Sequence, residues 1–231
     1  MRAMILAAGR GNRMRPLTDQ TPKPLLLAGG KPLIQYHIER LVAVGVQEIV
    51  INHAHLGGRL EEALGDGGRY GASIRYSAEG EGQALETGGG IFKALPWLGP
   101  EPFIVVNGDI WTDCPFGDLT LPDQGLAHLV LVENPPHNPT GDFTLDRGRV
   151  FAAGASRLTF SGVGLYHPAL FAACRPGAFP LAPLLRRAME DNRVSGQLHH
   201  GHWFDIGTPE RLQELDQWLD AMAQGARCDA Q

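Results

Sequence analysis

Residues 6–18, LAAGRGNRMRPLT, combine glycine and arginine in a pattern that suits phosphate binding. Gly9 and Gly11 follow an apolar run directly, and glycines placed there let backbone N–H groups approach a phosphate. Arg13 and a second arginine two residues later add positive charge, which a simple tight turn would not need. The segment is neither common nucleotide loop, because Met14 stands where a Rossmann fingerprint needs glycine or alanine and no Gly-Lys pair precedes Ser or Thr. It predicts a loop for a small phosphorylated ligand.

A second basic motif, Pro22-Lys23-Pro24, follows shortly after the glycines. The prolines on both sides restrict the backbone and predict that Lys23 lies on a stiff, extended segment. A single lysine in a loop is usually a solvated surface group. A lysine that is rigidly framed near Arg13 instead favours contact with a phosphate.

Two aspartates are candidates for binding a metal ion. Asp109 follows the apolar run 103–106, and ligands of α/β sheets bind beyond the carboxyl ends of the strands. Mg²⁺ usually takes one or two carboxylates together with substrate phosphates and water, so a second carboxylate is expected. Asp205, in the late motif WFDIGT, can supply it, although taken alone it also fits a cap or turn residue before Pro209.

Charge and composition restrict the classes of ligand. The chain has 231 residues, 43% hydrophobic and 19% charged, so it can bury a substantial core, and one domain over residues 1–231 is expected. Its net charge of −5 argues against a general nucleic-acid or membrane-surface binder. Residues 1–31 nevertheless carry six basic groups against one acidic group. This local charge predicts a small anionic ligand rather than a polyanion.

The chain shows no pattern that directs it to a membrane or out of the cell. The apolar run 3–8 is interrupted by Gly9, and no run approaches the roughly 18 apolar residues of a membrane span. Cys114, Cys174 and Cys228 are odd in number and lack metal-ligand or redox-motif spacing. We therefore expect a cytoplasmic protein.

Strands alternate with helices in the first half of the sequence. The predicted strands are residues 3–8, 48–52, 73–77 and 103–106, and the predicted helices follow Pro32 and cover 58–64 and 89–95. This alternation indicates βαβ crossovers and a Rossmann-like, mostly parallel central sheet with helices on both faces.

The pattern changes from about residue 126, where strand-like runs follow one another. Strands are predicted at 128–133, 142–146, 160–167 and 201–206, and helices at 181–191 and 209–222. We expect this half to be more antiparallel than the first. No linker or repeat separates the halves.

Residues 6–25 resemble the signature of the sugar-1-phosphate nucleotidylyltransferases, in which Leu-Ala-x-Gly-x-Gly-[Thr/Asn]-Arg is followed by Lys-Pro. Within that family, Asn12, the compact length and the motif ETGGG at 86–90 are most similar to the N-acetylmuramate α-1-phosphate uridylyltransferases of bacterial cell-wall recycling. The resemblance covers nearly the whole chain. It implies the nucleotide-diphospho-sugar transferase fold, with a nucleotide-binding half over about residues 1–125 and a smaller, antiparallel sugar-binding part within about 126–231. It also implies a Mg²⁺-dependent reaction of UTP with N-acetylmuramic acid 1-phosphate that releases pyrophosphate.

The resemblance assigns roles to individual residues. Arg13, Lys23, Asp109 and Asp205 would be catalytic, and the two aspartates would hold Mg²⁺. The nucleotide would contact Ala8, Gly9, Gly11, Asn12, Arg13, Lys23, Gln83 and Gly88. Gln83 is the candidate for the uracil edge, because an amide offers both a donor and an acceptor; a surface glutamine in a polar loop is the alternative.

The predicted sugar site rests on Gly141 and Asp142, which occupy positions that line the sugar pocket in the resembling enzymes. Phe160 departs from the family, since many relatives carry asparagine there. An N-acetylmuramic acid would present a lactyl carboxylate, and Arg157 is the candidate donor for it.

Other functions remain open from the sequence. The nearest alternatives are dTTP with glucose 1-phosphate or GTP with mannose 1-phosphate. A catalytically silent nucleotide-sugar sensor and a glycosyltransferase with an aspartate metal site are more distant ones. Since the chain has one terminal helix and no hexapeptide repeat, we expect neither acetyl transfer nor assembly through such a domain, but a monomer or small homo-oligomer.

Histidine and tryptophan clusters have simpler interpretations. A metal site at His199, His200 and His202 is disfavoured, because alternate strand residues point to opposite faces. His53 and His55 are expected to be loop or supporting groups, Asp113 is expected to be a loop carboxylate, and the residues Trp97, Trp111 and Trp218 are expected to pack.

Overall fold

The structure, a computed structural model, describes residues 1–80 and 84–228. Its first half contains β1 (Arg2–Leu6), β2 (Leu27–Ala28), β3 (Lys31–Pro32), α1 (Leu33–Ala43), β4 (Glu48–His53), α2 (Gly57–Leu64), β5 (Ser73–Ala78), α3 (Glu86–Leu98), β6 (Phe103–Asn107) and β7 (Ile110–Thr112). The second half contains β8 (Ala127–Val132), β9 (Thr144–Asp146), β10 (Arg149–Phe151), β11 (Thr159–Tyr166), α4 (Ala182–Glu190), β12 (Val194–Leu198), β13 (Trp203–Asp205) and α5 (Pro209–Cys228).

Within the described residues, nine strands form one sheet in the order β5-β4-β1-β6-β11-β8-β12-β10-β9. The strands β5, β4, β1 and β6 are parallel, and Met4 of β1 lies between Val50 of β4 and Val105 of β6. The connections through α1, α2 and α3 are the crossovers that a parallel sheet requires. The predicted Rossmann-like half is confirmed.

Helices cover both faces of the parallel strands, as the apolar runs of β1, β4 and β6 predict. On one face Ile5 and Ile51 pack with α1, whose Ile34, Ile38 and Leu41 recur at helical spacing and are fully buried. On the other face Met4 and Val105 pack in a second core, whose helical members come from α3 and α4. The carboxyl ends of the strands are left free to receive a ligand.

The second half extends the same sheet. β11 pairs antiparallel with β6 and with β8, and β10 pairs antiparallel with β12 and β9, so the predicted antiparallel character is confirmed. β12 is an exception, because it pairs parallel with β8. The strand β12 was not predicted, because its polar residues and glycine lack a strand pattern, and the three-residue strands β7 and β10 were not predicted either. Two further pairs, β2 with β3 and β7 with β13, lie outside the large sheet.

A third apolar cluster lies beneath the glycine loop. Met14 is fully buried there with Trp111, Ile206 and Leu215, so the residue that breaks the Rossmann fingerprint is the residue that anchors the loop to the fold. Among the described helices none is both long enough and apolar enough to cross a membrane.

Candidate active site

A pocket of about 400 Å³ lies at the carboxyl ends of β1, β4, β5 and β6. Seven predicted site residues line it: Ala8, Gly9, Gly11, Asn12, Arg13, Lys23 and Asp109. These residues come from three separate stretches of sequence. The order of the parallel strands brings them together, as the rule for ligand sites in α/β sheets predicts.

The turn of the glycine loop depends on a left-handed backbone conformation at Gly11. Gly11 has φ +64°, and a Cβ atom there would lie 2.9 Å from Cγ2 of Thr18. The Thr18 hydroxyl donates a hydrogen bond of 2.8 Å to the Gly11 carbonyl. A side chain at position 11 would therefore meet both strain and a clash. The residues that follow, Asn12–Met14, form a single 3-10 turn.

Lys23 is buried and forms an ion pair inside the pocket. Its Nζ atom lies 2.8 Å from Oδ2 of Asp109, and the lysine side chain is 8% exposed whereas that of Asp109 is 42% exposed. The framing prolines hold the segment as predicted, but the expected extended conformation is wrong, because Lys23 begins a 3-10 turn that ends at Leu25. The backbone is extended at Pro22 and then turns at Lys23–Leu25. This change of direction points the Lys23 side chain into the pocket.

Strand pairing places Asp205 close to Asp109 in the fold. β13 pairs antiparallel with β7, Asp205 faces Ile110, and the Ile206 N–H donates 2.9 Å to the Asp109 carbonyl. Gly207, two residues after Asp205, lines the pocket, although Asp205 itself does not.

The carboxylate of Asp205 is held by two basic side chains that the sequence analysis did not single out. Its Oδ2 atom accepts a hydrogen bond from Nη1 of Arg211 and lies 2.9 Å from Nε2 of His137. Arg211 is on α5 and its guanidinium lies close to the turn after the aspartate, because a Cβ atom at Gly207 would lie 2.5 Å from Nη2 of Arg211. No sequence signal predicted this contact, because His137 is 68 residues away from Asp205 along the chain.

The donor set fits a magnesium ion. Across residues 1–80 and 84–228, Oδ1 of Asp109 and Oδ1 of Asp205 accept no hydrogen bond, while each Oδ2 is already paired. The same residues form no group of three or more acidic, histidine or cysteine side chains that could enclose a metal by themselves. Two carboxylates with open oxygens are what Mg²⁺ needs when phosphates and water complete its octahedron.

A buried polar network supports the base of the pocket. Asn52 accepts a hydrogen bond of 2.9 Å from the Ala7 N–H and donates one of 2.6 Å to Glu79, whose second oxygen accepts the Leu85 N–H at 2.9 Å. Asn52 and Glu79 are 3% and 4% exposed and both line the pocket. Neither residue was predicted as part of the site. A polar residue at the end of each of two adjacent predicted strands was the signal that could have found them.

The two predicted base-reading residues were Gln83 and Gly88. Gln83 lies outside the described residues. Gly88 is buried in α3 against Phe179, and the pocket is lined instead by Ala84, Glu86 and Thr87 just before it. Gly88 therefore allows α3 to pack closely, and any contact with a ligand there is through the backbone.

A second pocket, also about 400 Å³, adjoins the first. Gly141, Asp142 and Arg157, the three predicted sugar-site residues, all line it. Thr87 and Asn107 line both pockets, so the two form one continuous depression. Asn107 ends β6, two residues before Asp109, which places the junction beside the Lys23–Asp109 ion pair.

Asp142 stabilises the wall of this second pocket. Its Oδ2 atom accepts the Phe160 N–H at 2.8 Å and Nδ2 of Asn138 at 3.2 Å. Phe160 precedes an irregularity in the pairing of β11 with β8, and it lines the pocket where the sequence analysis noted a departure from the family. One oxygen of Asp142 is thus used by the fold and the other remains available.

The model of the nucleotidyl transferase family matches residues 2–133, which is more than half of the chain. The chain belongs to this family.

Two curated relatives of this nucleotidyl transferase match over almost its full length. An N-acetylmuramate alpha-1-phosphate uridylyltransferase of Neisseria meningitidis serogroup B is 57% identical over 93% of this chain and 96% of the relative. A protein of the same name from Caulobacter vibrioides is 35% identical over 90% of this chain and 92% of the relative.

A solved structure confirms the fold of this nucleotidyl transferase. A Bacillus anthracis protein described as a candidate glucose-1-phosphate thymidylyltransferase, in complex with a sucrose, superimposes with a TM-score of 0.83 over 95% of both chains at 20% identity. The nucleotidyltransferase fold predicted from the sequence motifs is therefore correct.

Two other histidines of the nucleotidyl transferase, His199 and His53, have structural contacts. His199 lies 2.7 Å from Asp113 through Nε2, and Nε2 of His53 lies 2.7 Å from Glu61. The tryptophans pack as expected: Trp111 is 4% exposed and its ring lies 5.1 Å from that of Trp218 in an edge-on arrangement.

Proposed function

We propose that this chain is a uridylyltransferase that joins UTP to N-acetylmuramic acid 1-phosphate and releases pyrophosphate, in the cytoplasmic recycling of peptidoglycan. The observation that carries the proposal is the pair of adjoining pockets, which meet at Thr87 and Asn107 beside Lys23 and Asp109. Transfer of a uridylyl group from UTP to a sugar phosphate requires that the two substrates bind in adjacent sites. The choice of nucleotide and sugar follows from the 57% identical Neisseria relative.

The nucleotide occupies the first pocket in this proposal. Ala8, Gly9, Gly11 and Asn12 wrap the triphosphate with backbone N–H groups, and Arg13 neutralises the β- and γ-phosphates. Arg13 is exposed and forms no ion pair among the described residues, so its guanidinium is available for this contact. Gln83 and the backbone at Gly88 remain our proposals for recognition of the uracil.

The reaction is an in-line displacement at the α-phosphorus of UTP. An oxygen of the sugar phosphate forms the new P–O bond, the bond to the bridging oxygen breaks, and that electron pair leaves on pyrophosphate. No protein nucleophile is required. The work of the enzyme is to position two anions and to offset their charge. The buried Lys23 ammonium group, which lies in the first pocket against Asp109, contributes to this in the proposal.

Asp109 and Asp205 would hold Mg²⁺ through their open Oδ1 atoms. When bound, Mg²⁺ supplies neutralisation of phosphate charge and a fixed orientation for the phosphate oxygens. Arg211 and His137 hold the Asp205 carboxylate in place, so these two side chains are positioning residues in this proposal.

The acceptor sugar occupies the second pocket, with Gly141, Asp142 and Arg157 as its contacts. Residues 1–125 thus bind mainly the nucleotide and residues 126–231 mainly the sugar. Each half also contributes a residue to the other pocket, because Gly207 lines the first pocket and Asn107 lines the second.

The test is a measurement of pyrophosphate release over a grid of substrates. UTP, dTTP, GTP and ATP are each combined with N-acetylmuramic acid, N-acetylglucosamine, glucose and mannose 1-phosphates, with Mg²⁺ or with a chelator. We expect the highest kcat/KM for UTP with N-acetylmuramic acid 1-phosphate, and loss of turnover with the chelator. A maximum at another pair would retain the transferase chemistry and overturn the proposed specificity. Binding of a nucleotide sugar without any turnover would indicate a sensor.

A further inference from the structure

Two arginines from separate segments of the chain line the second pocket. Arg157 comes from the segment before β11, and Arg186 comes from α4. Neither forms an ion pair with any side chain in the described part of the chain. Asp142 is the one acidic residue among the described residues that line this pocket, and two N–H groups already bind its Oδ2 atom. The pocket therefore has an excess of positive charge with no internal partner.

The backbone that carries Arg157 is held in place by hydrogen bonds. The Arg157 carbonyl accepts a hydrogen bond of 2.9 Å from Nδ2 of Asn134, and Asn134 also accepts one of 2.9 Å from Thr159. Gly141 is packed so tightly against Arg157 that a Cβ atom at position 141 would lie 2.9 Å from the arginine Cβ. A fixed origin reduces the entropy that this long side chain loses when it binds a ligand.

The backbone of Arg186 is also held in place, because this residue lies on α4. The neighbouring Leu185, Ala188 and Met189 are buried in the second core, so the helix cannot rotate about its axis. Arg186 lines the pocket, whereas Arg187, the next residue, does not. Both arginines are exposed, so Arg187 provides a matched control on the same helix.

Part of the lining of this pocket is apolar, and Thr87, Asn107 and Asp142 supply its polar part. This apolar wall includes four side chains that cannot hydrogen-bond to a sugar hydroxyl: Phe143, Phe160, Leu181 and Leu185. Hydroxyl groups of a neutral hexose that faced these four side chains would be left unsatisfied. An acceptor that carries methyl groups beside a carboxylate would satisfy both the wall and the charges.

We propose that Arg157 and Arg186 together bind a carboxylate on the acceptor, and that this pair selects an acid-bearing sugar 1-phosphate over its neutral counterpart. The inference rests on the proposed function, in which the second pocket holds the acceptor. It adds Arg186 as a specificity-determining residue and assigns the apolar wall to the methyl groups of the substituents.

The experiment compares two acceptors that differ only in the lactyl ether. kcat and KM are measured at saturating UTP for N-acetylmuramic acid 1-phosphate and for N-acetylglucosamine 1-phosphate. We expect Arg157→Ala and Arg186→Ala each to lower the ratio of the two kcat/KM values about 10-fold or more, mainly through the KM of the acidic sugar. Arg187→Ala leaves the ratio unchanged. Arg186→Lys, which keeps the charge, recovers part of it.

A modified substrate separates charge from packing. The methyl ester of the lactyl group removes the carboxylate charge while it keeps the bulk. Wild-type enzyme is expected to discriminate against this ester, and the Arg157→Ala, Arg186→Ala double variant is expected to lose that discrimination. Arg186→Gln, which keeps most of the side-chain length, replaces Arg186→Ala if the alanine variant lowers the melting temperature.

The outcomes distinguish this inference from the proposed function. If wild-type enzyme uses N-acetylmuramic acid 1-phosphate and both arginine variants keep the wild-type ratio within about twofold, the inference is overturned and the proposed function stands. If the enzyme instead prefers a neutral sugar 1-phosphate, both are overturned.

Discussion

Lys23 and Asp109 form an ion pair of 2.8 Å in which burial is strongly unequal, since the lysine side chain is 8% exposed and the aspartate side chain 42%. The ammonium group therefore depends on the carboxylate for its solvation, whereas the carboxylate can also face water. A bound phosphate could take over as the partner of Lys23 and leave the Asp109 carboxylate for a metal ion. The pair keeps a buried cation in the first pocket until a substrate arrives.

Substitution at Asp109 should separate catalysis from stability. Asp109→Asn is expected to lower kcat about 100-fold or more, because an amide has no charge to hold Mg²⁺. Its free energy of unfolding should fall less than that of Asp109→Ala, since the amide oxygen can still accept a hydrogen bond from Lys23. Asp109→Ala should also destabilise the protein by about 1–3 kcal/mol, because it leaves the buried ammonium without a partner. Urea unfolding and pyrophosphate release measure the two effects, with the exposed Asp118→Asn as a control.

Substitution of Lys23 should lower turnover strongly but cost less stability than the loss of the Asp109 carboxylate does. Lys23→Met is expected to lower turnover about 100-fold, because no buried cation remains beside the reacting phosphates. It should destabilise the protein less than Asp109→Ala does, since Asp109 is exposed enough to be solvated and methionine fills the buried space. A greater loss of stability in Lys23→Met than in Asp109→Ala would show that the unequal burial does not govern the pair. Lys31→Met, at a half-exposed ion pair, is the control.

The Asn52–Glu79 contact predicts a pH-dependent defect. Asn52→Asp puts a carboxylate against Oε1 of Glu79, where Asn52 donates at 2.6 Å. Repulsion should cost about 2–4 kcal/mol of unfolding free energy at pH 8. Because two adjacent carboxylates raise each other's pKa, the folded state of this variant binds a proton more readily and regains stability as the pH falls. Unfolding at pH 8 and pH 5 tests this, with the exposed Asn192→Asp as control; an equal cost at both pH values would contradict it.

His37 should make wild-type stability fall at acidic pH. Burial lowers the pKa of His37 from 6.5 to about 4. The Nε2 atom donates a hydrogen bond of 2.8 Å to the Ile110 carbonyl. The Nδ1 atom is buried and has no hydrogen-bond partner among the described residues, so a proton added there would find no acceptor. The unfolded state thus binds the proton first, so stability is full above pH 6.5 and decreases as the pH falls towards 4, by an amount on the order of 3 kcal/mol.

The variant His37→Gln keeps a donor for the Ile110 carbonyl but has no titrating group. We expect its unfolding free energy to vary less between pH 6.5 and pH 4 than that of wild type. His128, whose pKa burial also lowers, is present in both proteins, so the difference between them isolates His37. Identical slopes for the two proteins would refute the assignment.

Elements with a strong local pattern were predictable from the sequence. Helix α1 was expected from Ile34, Ile38 and Leu41, and it covers Leu33–Ala43 with these three residues fully buried. In contrast β12, with the sequence VSGQL, has no alternation of apolar and polar residues. It is a strand because its backbone pairs with β8, and such pairing depends on residues about 67 positions away.

The candidate site divides in the same way. The glycine loop, Lys23 and Asp109 were predicted because their residue types and local spacing suit phosphate and metal chemistry, and they line one pocket. Asn52, Glu79, Arg186 and Arg211 were missed because each is an ordinary polar residue in its local context. Their importance arises from contacts with distant segments.

The local sequence alone thus settles which chemical groups the protein has and the type of its longer elements, because helical periodicity, glycine turns and proline rigidity act over a few residues. The tertiary structure settles which groups face each other. The burial of Lys23 against Asp109 and the two arginines of the second pocket depend on how the strands are ordered in the sheet. Strand order is set by the cooperative burial of both faces of the sheet, a property of the whole chain that no local window contains.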